Sequence, residues 1–140
     1  MLISLIVPGE YARLDDLNTS LDAVLERHSV DPGVRGDVRL IVEELASNAI
    51  EHGGAGEGQE LSVKLSIDDG VLSLEFRDGG APFNPLESEE PDLDADILDR
   101  PVGGLGLYLI RQLAEELHYE RAGDQNLLRV KLKIPMEQPA

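Results

Sequence analysis

The chain has 140 residues, 41% hydrophobic and 29% charged, with 28 acids against 12 bases and a formal net charge of −16. That length fits one domain with one core, and that charge repels DNA and RNA. No apolar run approaches the ~18–20 residues of a bilayer span, and without cysteine there is no disulfide framework or thiolate metal site, which fits a reducing cytoplasm.

Residues 2–7 predict a first strand; the apolar start is short and has no basic flank, unlike a signal peptide. A first helix follows over 11–28, with Leu14, Leu17, Leu21, Val24 and Leu25 spaced by three and four. Asp31-Pro32 has the form of an N-cap and a first-turn proline. The second helix should run to about His52, burying Val34, Val38, Ile41, Val42, Leu45 and Ala49, with Gly53-Gly54 as its stop. Residues 60–67 and 71–78 alternate as two strands joined by a hairpin turn at Asp68-Asp69-Gly70.

Residues 79–102 lack a period and read as a long loop. Residues 87–99 alone hold seven acids. A third helix is expected over 105–117, burying Leu109, Ile110, Leu113 and Leu117. Strands over 118–122 and 126–134 close the chain, the last with Leu128, Val130, Leu132 and Ile134 inward. This order predicts an α+β, two-layer sandwich of a mostly antiparallel sheet with helices on one face, as a single domain over 1–140.

Four features break the pattern. Asp78 shares the inward parity of Leu72, Leu74 and Phe76, so its carboxylate needs a partner. Gly79-Gly80 behind it leaves room for a flat hydrogen-bonding ligand such as a purine; an Asp-Gly turn at a strand end is the plainer alternative. On the second helix, Glu44 and Asn48 stand at i, i+4, with His52 a turn on. Carboxylate and carboxamide oxygens on one helical face suit Mg²⁺, which keeps several waters, although a solvated flank reads the same way. Zinc at Glu44 and His52 lacks a second histidine at motif spacing. Gly103-Gly104-Leu105-Gly106 opens a helix whose free N–H groups would face a phosphate. Asn126 has the parity of Leu128 and Val130 and reaches toward the same pocket, or serves the turn after Gly123-Asp124.

Glu44-x-x-x-Asn48, then Asp78-x-Gly80, then Gly104-x-Gly106 occur in one order. With their flanking residues 43–53, 78–85 and 103–110, these boxes resemble the GHKL ATPases, whose Bergerat fold binds ATP. More closely, the chain resembles the bacterial anti-sigma factor serine/threonine kinases. The resemblance implies ATP and Mg²⁺ as cofactors, Glu44 as general base and Asn48 as the Mg²⁺ ligand. It implies Asp78 as the adenine acceptor and Gly80 as the residue giving the base room. Phe83, Gly103, Gly104, Leu105, Gly106 and Asn126 would complete the nucleotide contacts, under a lid over 86–102.

The implied partners are a STAS-domain anti-anti-sigma protein and a sigma factor, with a homodimer as the possible assembly and no direct contact with nucleic acid or membrane. Better-known members carry a first-helix arginine where this chain has Asn18 or Ser20. They carry a last-strand Thr or Ser where it has Leu127 and Leu128, with Asn126 nearby. The lid is acidic, its lone base being Arg100. A non-catalytic module whose nucleotide only sets a partner-binding shape is the alternative function. A histidine kinase would need a helical hairpin with a phosphoacceptor histidine, and residues 1–30 offer one helix and His28.

Overall fold

The structure, a computed structural model, describes residues 2–8, 11–51, 60–82, 84 and 104–134. The elements in order are β1 (Leu2–Pro8), α1 (Tyr11–Arg27), α2 (Pro32–Glu51), β2 (Glu60–Asp68), β3 (Val71–Asp78), α3 (Gly104–Leu113), β4 (Glu116–Ala122) and β5 (Gln125–Lys133). The strands form one sheet in the order β1-β2-β3-β5-β4, with every neighbouring pair antiparallel. The expected α+β sandwich is therefore the one observed.

Local chemistry sets the joints. At the end of α1, Ser29 adopts φ 58, and Val30 N donates to Leu25 O while Ser29 N donates to Glu26 O. This is a Schellman motif, and its usual apolar contact falls to Leu25 and Val30, both buried. Asp31 then caps α2: its carboxylate accepts from Gly33 N at 2.9 Å, and Pro32 takes the position that needs no donor. The β2–β3 turn has positive φ at both Asp69 and Gly70, the I′ pattern that matches strand twist.

The core lies between helices and sheet. Leu17, Leu21 and Leu25 of α1 and Val38, Ile41, Val42 and Leu45 of α2 meet Leu61, Val63, Leu65, Leu72, Leu74, Phe76, Val130 and Leu132. α2 packs against α1 on one side and α3 on the other, and touches β3.

Two expectations fail near α3. The helix stops at Leu113 rather than Leu117, because Glu115 N already donates to Lys131 O and Glu116 pairs with Lys131 as β4 begins. Leu109 is exposed at 37%, whereas Ile110 is buried and Leu113 half-buried against the core. A ten-residue helix presents a narrow stripe to the sheet, and Leu109 falls outside it. Among the described residues no helix is long and apolar enough to cross a membrane.

Candidate functional site

Register places the inward side chains of the sheet in rows. One row is Leu65, Leu74, Val130 and Leu117; the next is Val63, Phe76, Leu128 and Tyr119; the next is Leu61, Asp78, Asn126 and Arg121. The helix-facing layer thus turns from apolar to polar within two rows. Asp78 and Asn126 are buried, at 7% and 5% exposure, on central strands. Polar groups so placed must be satisfied by one another or by a ligand.

They satisfy one another in part. Asp78 Oδ1 accepts from Gly80 N at 2.9 Å and from Asn126 Nδ2 at 3.1 Å. Asn126 Nδ2 also donates to Ala81 O at 2.8 Å. Asn126 Oδ1 accepts from Tyr119 Oη at 2.6 Å and from Arg121 Nη1 at 3.2 Å. Arg121 Nη1 further donates to Gly80 O at 2.8 Å. Among the described residues, no hydrogen bond reaches Asp78 Oδ2. The backbone after β3 is held from two neighbouring strands, and one oxygen of a buried carboxylate is left over.

The sequence groups Asp78, Gly80 and Asn126 as expected site residues, and in the structure Asp78 bonds directly to the other two. That grouping omits Tyr119 and Arg121. The alternation Leu117, Tyr119, Arg121 marks them as inward once β4 starts at Glu116, and that is the signal a helix drawn through Leu117 conceals.

Glu44 and Asn48 lie one turn apart on α2. Asn48 is buried at 6% exposure, and its Nδ2 has no hydrogen-bond partner. Glu44 is half-buried. Gly104, Leu105 and Gly106 form the first turn of α3 itself, so the N–H groups that a helix leaves without an intrahelical partner belong to that segment. His52, Gly53, Gly54, Phe83, Gly103 and the segment 86–102 lie outside the described residues. Among the described residues, no cluster of three or more His, Cys, Asp or Glu could hold a metal ion.

Comparison with known proteins identifies the family. A family model for the histidine kinase-like ATPase domain matches residues 7–132. The chain is 27% identical over 126 residues to a serine-protein kinase RsbW of Bacillus pumilus, covering 85% of this chain and 78% of that one. It is 29% identical over 130 residues to a serine-protein kinase RsbW of Listeria monocytogenes, covering 84% and 80%. A serine/threonine-protein kinase BtrW of Bordetella bronchiseptica is 28% identical over 96 residues, with 68% of each chain covered. A solved structure of RsbU and RsbW domains from Mycobacterium tuberculosis superposes with a TM-score of 0.64 at 13% identity. That match covers 96% of this chain and 32% of the longer one, and it bears on the fold alone.

Proposed function

The chain belongs to the histidine kinase-like ATPase domain family, and we propose that it is an ATP-dependent serine/threonine protein kinase of the anti-sigma type. Its substrate is a serine on a STAS-domain antagonist, and its second partner is a sigma factor held when that antagonist is absent or phosphorylated. The kinase names of the RsbW and BtrW relatives support the activity. The observation that carries the nucleotide site is Asp78: Oδ1 is occupied by Gly80 N and Asn126 Nδ2, and Oδ2 is left to accept the adenine amino group.

The first turn of α3, Gly104 to Gly106, offers N–H groups and the positive end of a helix dipole to phosphates. Asn48 Oδ1 would be the Mg²⁺ ligand: no hydrogen bond takes that oxygen among the described residues, and Mg²⁺ prefers oxygen donors and keeps several waters. When bound, Mg²⁺ neutralises charge on the phosphates. Glu44 accepts the proton of the attacking hydroxyl. The serine oxygen bonds to the γ-phosphorus, the bridging P–O bond breaks, and ADP leaves.

The test is transfer of labelled γ-phosphate to a STAS-domain partner. Glu44→Gln should slow transfer by about 10²–10⁴ while leaving ATP affinity within a few-fold. Undiminished transfer removes Glu44 from the mechanism. ATP-dependent partner binding without turnover in the wild type would instead select the non-catalytic module, which the seven acids of 87–99 favour because like charges repel phosphates.

A further inference from the structure

We infer that Tyr119 and Arg121 are positioning residues that lock the Asn126 carboxamide in one orientation, and that this lock makes the site select a 6-amino over a 6-oxo purine. The inference rests on the nucleotide reading of Asp78.

A carboxamide has two ends of similar shape and opposite chemistry. Here its partners decide which end goes where. Arg121 can only donate, and its Nη1 lies 3.2 Å from Asn126 Oδ1. Tyr119 Oη adds a second donor at 2.6 Å. On the other side stand two acceptors, Asp78 Oδ1 at 3.1 Å and Ala81 O at 2.8 Å from Nδ2. Turning the amide over would set its NH₂ against the guanidinium and its oxygen against a carboxylate and a carbonyl.

The consequence passes to Asp78. With the NH₂ held toward it, Oδ1 accepts two donors and points into the fold, so Oδ2 is the oxygen a ligand meets. A carboxylate accepts and cannot donate. A base bearing an amino group at position 6 pairs with Oδ2; a base bearing a carbonyl there meets acceptor against acceptor. Without the lock, the Asn126 oxygen can turn to Asp78, the carboxylate loses its second donor, and it is free to rotate. Arg121 reinforces the arrangement by holding Gly80 O at 2.8 Å, which keeps Gly80 N aimed at Oδ1.

The experiment measures dissociation constants for ATP and ITP, whose base carries a 6-oxo group, by calorimetry with Mg²⁺. Wild type should prefer ATP by about a hundredfold or more. Tyr119→Phe and Arg121→Met should each lower the ATP-to-ITP ratio, by roughly tenfold at most. In an Asn126→Ala background, Tyr119→Phe should change the ratio by less than about twofold, because nothing is left to lock. The ratio is taken on one protein at a time, so a loss of folded fraction cancels, and melting midpoints without nucleotide check folding.

A ratio unchanged by Tyr119→Phe and Arg121→Met overturns the lock while ATP binding stands. A ratio that falls equally in both backgrounds assigns these residues a general structural role and also overturns it. Failure of the wild type to bind ATP at all overturns the nucleotide reading and the lock with it.

Discussion

Asp78 has one oxygen given to the fold and one left over, and a single atom exchange tests that division. In Asp78→Asn, the side-chain oxygen must take the inner position, because Gly80 N and Asn126 Nδ2 both donate there. The new NH₂ therefore faces the ligand, and donor meets donor at the adenine amino group. ATP affinity should fall by about tenfold or more, and ITP affinity should rise relative to it. Titration of both nucleotides against the variant reads this directly; retained ATP preference would mean that Asp78 does not contact the base. At this scale the sequence was informative because parity is arithmetic: Asp78 and Asn126 fall on the faces of Phe76 and Leu128 whatever the fold. It was silent on their mutual hydrogen bond, which depends on β3 and β5 being neighbours across a crossover.

Elements are decided by their ends. α1 ends on Ser29 at φ 58, a left-handed conformation in which a Cβ is crowded. The Schellman bonds from Val30 N to Leu25 O and Ser29 N to Glu26 O fix that conformation regardless of the side chain. Ser29→Gly should therefore stabilise the chain by about 0.5–1 kcal/mol, the relief of crowding exceeding the added flexibility of the unfolded state. Chemical denaturation checks it, and a lowered midpoint at unchanged slope would show that the serine is not strained. The same logic explains where element boundaries were legible. Asp31-Pro32 and Asp69-Gly70 carry their own chemistry, so α2 and the β2–β3 hairpin were placed from sequence. Between α3 and β4 stand Ala114 and Glu115, neither a breaker. Leu109, Leu113 and Leu117 continue a spacing of four, which suits a helix, while Leu117 and Tyr119 also suit a strand. The tie is resolved by Lys131 on β5, which pairs with Glu116, and no local signal reports a partner so far along the chain.

Over the whole molecule, charge works against compactness. The net charge is −16, and several of the bases are already engaged: Arg35 with Asp22, Arg77 with Glu75, Lys131 with Glu116 and Lys133 with Glu115. Most of these pairs are exposed and each contributes little, so the surplus acids face one another across solvent. At Asp37 this repulsion comes second to burial. Its partial burial, and then the charge of Asp31, hold its carboxyl above the ordinary value of 3.8. The folded chain keeps that proton more tightly than the unfolded one, so this group costs stability as pH rises from 3.8 through the raised value. Self-repulsion of this kind is screened by salt, since the Debye length falls from about 30 Å at 0.01 M to about 8 Å at 0.15 M. The melting midpoint at pH 7 should therefore climb by a few degrees as NaCl is raised over that range. Near pH 4.3, where the sequence is electrically neutral, the same addition should leave the midpoint almost unmoved. A midpoint at pH 7 that ignores salt would show that repulsion among the surface acids does not limit the stability of the folded chain.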